Sequence, residues 1–247
     1  MAEEVLIAGI NSVQATLERD PAAVLALWLD RERDDKRLRE LAELAERHGI
    51  TVQWSERKQL DRKAQGTGHQ GAVMRARAPA PRGERELEGL LTEASGPPLL
   101  LVLDGVQDPH NLGACLRSAA AAGVDAVIAP RDRACGLTAT VRKVASGGAE
   151  VVPFFRVTNL ARTLRTLQQA GVWLIGADAA GEGTLYDSDL QGPVALVLGA
   201  EGQGLRRLTR EHCNLLVRIP MPGPVESLNV SVATGVFLFE AVRQRLG

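Results

Sequence analysis

Residues 99–118 read LLLVLDGVQDPHNLGACLRS, and the fold turns on this stretch. LLLVLD is apolar without alternation until its closing aspartate, the pattern of a strand buried on both faces. Glycine, aspartate and proline then break the chain. Over 111–122 small and apolar residues return at helical spacing. Strand, tight turn and helix are repeated downstream. Further strands are expected at 126–129, 172–177, 194–198 and 215–219, with helices at 158–170, 205–211 and 228–246. Continuous apolar strands separated by helices predict an α/β domain with a parallel sheet covered on both faces. In such sheets ligands bind outside the carboxyl ends of the strands.

Three segments stand at those ends: DPHNLGACLRS at 108–118, LVLGAEGQGL at 196–205 and IPMPGPVESLNVSVATG at 219–235. Each gathers glycine, proline and small polar residues where a regular element begins or ends. Such turns cost chain entropy and ladder hydrogen bonds, so three of them in one domain point to a single pocket made of loops.

Upstream, residues 1–77 alternate short apolar runs with helical patterns and predict a small separate α/β domain. Strands are expected at 24–29, 50–54 and 71–77. A helix over 34–48 carries Leu38, Leu41, Leu44 and Ala45 on one face and ends at Gly49. Residues 78–98, where proline and glycine bracket one short charged helix, are the expected linker. The second domain is then 99–247. A chain of 247 residues suits two domains.

Composition excludes several classes. No run of about 20 apolar residues is present, so no membrane span is expected. The acidic N-terminal residues do not have the form of a signal peptide. Cys115, Cys135 and Cys213 lack metal-ligand spacing, and no metal is expected. Reduced cysteines suit a cytoplasmic location. The formal net charge of −1 neither predicts nor excludes a nucleic-acid partner, because a local patch can be basic in a neutral chain. Residues 1–80 hold 13 Lys/Arg and 13 Asp/Glu. Within them Arg57, Lys58, Arg62 and Lys63 cluster against Glu56 and Asp61, as a solvated helix face or a patch that follows RNA phosphates.

The pocket residues narrow the chemistry. GAEGQG is not a dinucleotide fingerprint, because Glu201 replaces the middle glycine, and no Lys-Ser/Thr follows for a phosphate loop. Ser227 stands where a helix N-cap belongs, with Asn229 in the first turn, a place suited to polar ligands. Asn111 opens a helix and Arg117 lies six residues on, off its narrow stripe. Arg117 has apolar neighbours in sequence; it is either an ordinary surface arginine or a partly buried one with an anionic partner, Glu201 or a substrate phosphate. His110 has no carboxylate at fixed spacing to orient it, and no nucleophile elbow is present. Together these residues favour a transferase with a bound cosubstrate. The final helix, with Val230, Val232, Ala233, Val236, Phe237, Phe239, Ala241 and Val242 around most of its circumference, is expected to be buried by its own domain or by a second subunit.

The three segments resemble the motifs of the SPOUT class of RNA methyltransferases, specifically its ribose 2′-O-methylating family (TrmH-like, or SpoU). The matching residues are Asn111, Gly113 and Arg117 in the first segment. In the second they are Gly199, Glu201, Gly202 and Gly204, and in the third Pro220, Gly223, Ser227, Leu228 and Asn229. The likeness extends through GINSVQATLE, HQGAV, RVTNLARTL and FEAVRQR, and so spans essentially the whole chain. It implies a deep trefoil knot in the C-terminal domain, an L30e-like RNA-binding N-terminal domain and a homodimer through the C-terminal domains. It implies S-adenosyl-L-methionine held at Gly199, Ile219, Met221 and Leu228, and methyl transfer to a ribose 2′-hydroxyl. Arg117 is then assigned to that hydroxyl. A guanidinium stays protonated in proteins, so an orienting role on hydroxyl and phosphate suits it better than that of a base. Asn111, Glu201, Ser227 and Asn229 would fix Arg117 and the ribose. The resemblance is strongest to members that methylate a guanosine of 23S rRNA in the P loop of the peptidyl-transferase centre, as free rRNA or in a large-subunit assembly intermediate. A tRNA ribose methyltransferase and a non-catalytic RNA-binding or ribosome-assembly protein are the alternatives.

Overall fold

The computed structural model describes residues 4–33, 35–64, 68–77, 82–94 and 96–247. In chain order the first elements are β1 (Glu4–Ala8), α1 (Ile10–Arg19), β2 (Val24–Asp30), α2 (Lys36–Arg47), β3 (Val52–Ser55), α3 (Arg57–Lys63) and β4 (Ala72–Arg77). They are followed by α4 (Glu84–Glu93), β5 (Leu99–Asp104), α5 (Pro109–Ala121), β6 (Ala126–Pro130), α6 (Ala139–Ala145), α7 (Gly148–Val151) and β7 (Phe154–Val157). The rest are α8 (Leu160–Gln169), β8 (Trp173–Ala177), β9 (Gly183–Thr184), β10 (Val194–Gly199), α9 (Arg207–His212), β11 (Leu215–Arg218) and α10 (Val230–Leu246). The chain divides into two compact units, Met1–Ala80 with Leu137–Val151, and Pro81–Gly136 with Val152–Gly247.

The first unit has a four-stranded sheet in the order β1-β4-β2-β3. β4 is antiparallel to both neighbours and β2 is parallel to β3. Alternation along β2 sends Leu27 and Leu29 into a core with Leu17, Leu38, Leu41 and Met74. Trp28 faces the other way, toward Leu60, Ala64 and Val73. α2 forms where expected. Its buried stripe is Leu38, Leu41, Ala42 and Ala45, and the Asp35 side chain accepts from the Arg37 N–H at 2.9 Å as N-cap. Residues Leu137–Val151, which the sequence reading leaves in the second domain, pack with this unit, α6 against β1 and α7 against α1.

The second unit is a seven-stranded sheet in the order β7-β6-β5-β10-β8-β11-β9, with every pairing parallel. β5 and β6 are buried along their whole length, which is why their sequences show no alternation. The core joins Leu100, Val102, Ile128, Leu164, Leu174 and Val197. Leu87 of α4 is buried in the same cluster, so the short helix expected inside the linker belongs to this unit. Residues 78–81 and 95 of that linker lie outside the described residues.

α5 and α10 pack together, with Cys115 Sγ 3.3 Å from Thr234 Oγ1 where they meet. Burial pushes the Cys115 thiol up to about 11, so it is a core side chain and not a nucleophile. Of the two expectations for α10, burial by its own domain is met on one side only. Val230, Thr234, Phe237, Leu238, Glu240 and Ala241 are buried, but Val232 and Phe239 are about half exposed. The helix also starts two residues later than the apolar pattern suggests. Ser227 is not its cap. Asn229 caps it, accepting the Ser231 N–H at 2.8 Å and the Ser231 hydroxyl at 2.6 Å. Serine and asparagine cap about equally well, so composition alone does not choose between them.

Candidate active site

The three loops at the carboxyl ends of β5, β10 and β11 meet. The second is the most tightly built. After β10 the chain turns through residues 200–204, and the Gly204 N–H closes it on the Ala200 carbonyl at 2.9 Å. A Cβ at Gly199 would lie 2.0 Å from the Gly204 carbonyl carbon, so only glycine fits there. Gly204 itself has φ +63°, in the left-handed region.

A buried charge anchors this loop. Asp104 ends β5 with its side chain wholly inaccessible. One carboxylate oxygen accepts the Arg206 backbone N–H at 3.0 Å, and the other takes Arg206 Nε at 2.5 Å and pairs with its Nη2. The guanidinium fork thus holds the end of the loop to the neighbouring strand. Sequence reasoning did not single out Asp104 or Arg206. The one signal for them is a lone charge closing a run of five apolar residues.

The loop tip presents Glu201. Asn229 Nδ2 donates to Glu201 Oε1 and, at 3.0 Å, to Asn111 Oδ1. One amide thereby ties all three motifs together: Asn111 from the first loop, Glu201 from the second and Asn229 from the third. Asn111 is placed by α5, whose N-cap Asp108 accepts the His110 N–H at 3.0 Å. That bond occupies the His110 backbone, and among the described residues the exposed imidazole has no orienting carboxylate.

Beside this junction lies a cleft of about 670 Å³, within the usual range for a small-molecule site. Gly199, Ile219, Met221 and Leu228 all line it, as do Glu201, Ser227 and Asn229. Leu198, Val217 and Phe237 add apolar wall, and Asp178 pairs with Arg210 at 2.9 Å on the rim. Ser227 is exposed there and has no hydrogen-bond partner among the described residues. Cys213, below the cleft, has its thiol pushed up to about 12 by burial, with the Asp104 and Asp178 charges adding to the effect.

Arg117 does not engage Glu201, one of the two anionic partners expected for it. It is exposed, does not line the cleft, and neither hydrogen-bonds nor pairs with Glu201. Six residues of helix turn through about 600°, which sets Arg117 roughly 120° around α5 from Asn111. Glu201 is engaged by Asn229 instead. In the first unit Arg57, Lys58 and Arg62 are exposed on α3, and Lys63 Nζ sits 4.1 Å from the centre of the Trp28 ring. Among the described residues no cluster of His, Cys, Asp or Glu could hold a metal, and no helix is long and apolar enough to cross a membrane.

Residues 98–239 match the SpoU rRNA Methylase family. The chain belongs to that family. Residues 6–82 match a further SpoU-associated module, described as RNA 2′-O ribose methyltransferase substrate binding. Among SpoU relatives, the 23S rRNA (guanosine-2′-O-)-methyltransferase RlmB of Shewanella oneidensis is 54% identical over 245 residues, covering 99% of each chain. The protein of the same name from Yersinia pestis is 57% identical, covering 97% of each. Among solved SpoU structures, AviRb from Streptomyces viridochromogenes in complex with AdoMet superposes with a TM-score of 0.80 at 26% identity, covering 98% of this chain and 91% of that one. The parallel-sheet architecture with an N-terminal substrate-binding domain is therefore the SpoU arrangement.

Proposed function

We propose that this chain uses S-adenosyl-L-methionine to methylate the ribose 2′-hydroxyl of a guanosine in 23S rRNA, in the P loop of the peptidyl-transferase centre. The observation that carries the reading is the convergence of Asn111, Glu201 and Asn229 on one amide beside a cleft lined by Gly199, Ile219, Met221 and Leu228. Relatives that carry the rRNA methyltransferase name over their full length support the choice of substrate.

The cleft suits the cosubstrate. Its walls combine apolar side chains with exposed backbone from a loop that only glycine can make, which fits a flat nucleoside read by main-chain groups. When bound, the cosubstrate supplies a methyl group already activated by a sulfonium charge. The chain's residues then place the ribose and manage its proton. Asn111, Glu201 and Asn229 form a rigid polar floor for the sugar. Ser227, without a partner among the described residues, is available to the ribose. Arg117 keeps its donors for a phosphate and the 2′-hydroxyl, whose ionised form it favours electrostatically.

The same reading includes a homodimer. Half-exposed Val232 and Phe239 leave an apolar stripe on α10, and Arg117 lies outside the cleft of its own chain. A second copy packed on α10 covers the stripe and brings its Arg117 to the site. Mixing Arg117→Ala with Glu201→Gln chains should then restore about a quarter of wild-type activity, through hybrid dimers with one intact site; no recovery would place Arg117 in its own subunit's site. The trefoil knot belongs to the reading as well, supported by β11 lying between β8 and β9, the strands that flank residues 178–182. The exposed α3 cations are read as RNA contacts, and the location as the cytoplasm, where three unpaired cysteines remain reduced.

Transfer of labelled methyl to a short 23S rRNA stem-loop, with the modified nucleotide mapped, tests the function. The expected product is one guanosine carrying a 2′-O-methyl group. Label on tRNA alone would replace the substrate, and no label on any RNA would favour a binding protein.

A further inference from the structure

β6 and β7 end at the same edge of the sheet as the three motif loops, and that corner is rich in arginine. Residues 131–136 follow β6 and read RDRACG. Arg131 Nε donates to the Arg156 carbonyl at 3.2 Å, and Arg156 Nη2 donates to the Arg131 carbonyl at 2.7 Å. Each arginine therefore holds the other's backbone, and the two like charges are kept on neighbouring strand ends. Among the described residues neither forms an ion pair, and Arg133 has no side-chain partner. Arg156 Nε is buried without an acceptor. A buried donor left unmade is costly, and in a native fold it calls for a reason, an ion site being one of the few. The nearby acids do not fill that place. Glu84 is engaged by the Thr158 N–H at 2.7 Å, which chiefly holds its carboxyl below the usual range, with the Arg131 charge a smaller influence and no ion pair formed; Asp132 is exposed in the loop.

The corner is coupled to the site. The Cys135 N–H donates to the Val106 carbonyl at 2.9 Å, and a Cβ on Gly105 would lie 3.6 Å from the Arg133 carbonyl. The arginine loop is thus strapped to the turn that leads into Asn111. Adjacent strands are about 4.8 Å apart, so β7 lies roughly 10 Å along the sheet from β5. Arg133 takes the left-handed conformation, φ +56°, which is uncommon for a non-glycine residue.

We infer that Arg131, Arg133 and Arg156 form a cradle for a backbone phosphate of the RNA, flanking the nucleotide whose ribose enters the cleft. This rests on the proposed RNA substrate and adds, on the catalytic unit, a second phosphate grip beside the one given to Arg117. Planar forks fixed by backbone carbonyls are suited to phosphate oxygens, and they confer grip and register without reading sequence.

The test is binding of a 23S rRNA stem-loop across a salt series, for the wild-type chain, Arg131→Gln, Arg133→Gln and the double variant. Both side chains are exposed, and S-adenosyl-L-methionine affinity serves as the control for folding. The expected result is RNA affinity about threefold to tenfold weaker per substitution, with the salt slope reduced by about 0.7 to 1 for each phosphate that is no longer neutralised. Arg133→Glu should weaken binding further. An unchanged slope and affinity in the double variant would overturn the cradle while leaving the function standing. A wild-type chain that neither binds nor methylates the stem-loop would overturn the substrate reading, and the cradle with it.

Discussion

Asn229 and Arg117 lie on helices packed against each other, and their side chains are in opposite states. Both polar atoms of Asn229 are engaged, the oxygen by Ser231 and the nitrogen by Asn111 and Glu201. Arg117 is exposed and engages no side chain among the described residues. The cleft loops repeat the first state: Asp104 is saturated by Arg206, and the 200–204 turn closes on itself. The Arg131–Arg156 corner stands nearer the second, its guanidiniums held by backbone carbonyls but in no ion pair among the described residues. On the proposed reading, the difference separates a small-molecule cleft organised by the fold from cations whose partner is brought by another molecule. Substitutions in the first region should cost stability and cosubstrate affinity together. Substitutions in the second should cost function alone.

Gly199→Ala is the most severe way to break the first region. A methyl there collides with backbone rather than with a movable side chain, so the loop must open. A loss of about 3 kcal/mol is expected in chemical denaturation, with no measurable cosubstrate binding by calorimetry. Arg206→Ala comes next, because it strips a wholly buried Asp104 of its guanidinium partner. The expected cost is about 2–4 kcal/mol. Asp104→Asn should cost less, since it removes the buried charge itself and the partly exposed Arg206 can turn to water. Equal losses in the two variants would contradict the anchoring role given to that pair. Asn229→Ala removes a helix cap worth about 1 kcal/mol and unties Glu201 from Asn111. Cosubstrate affinity should fall with it, whereas Asn229→Asp should recover most of the stability and little of the activity. The smallest effect concerns pH. Arg243 beside Glu240 holds its carboxyl down at about 2. That contribution to stability is present above the ordinary carboxylate range and fades as pH falls from about 4.5 toward 2, so the melting temperature of Glu240→Gln should converge on the wild-type value there.

The parts of this contrast that could be read from sequence follow from physical range. LLLVLD and VALVLG announce buried parallel strands because a strand covered on both faces has no polar side to alternate. The three loops announce a site because glycine and proline at strand ends need a reason. Local chemistry could not say that Asn229, not Ser227, caps α10, since either side chain can accept the same N–H. Nor could it show that residues 137–151 pack with the first unit, or that Asp104 and Arg206, 102 positions apart, share a buried bond. Those facts depend on long-range packing that leaves no periodic trace. Nor could local chemistry choose between a surface and a partly buried Arg117, which is exposed because its apolar neighbours in sequence lie on other sides of the helix.

The most direct measurement compares cosubstrate binding with methyl transfer in Arg117→Ala. If the cleft is complete without RNA and the arginine acts only on RNA, calorimetry should give an S-adenosyl-L-methionine affinity within about twofold of wild type. Melting temperature should hold, while single-turnover methylation of the rRNA stem-loop falls about 100- to 1,000-fold. A variant that loses cosubstrate affinity in step with turnover, or that methylates at the wild-type rate, would contradict the account.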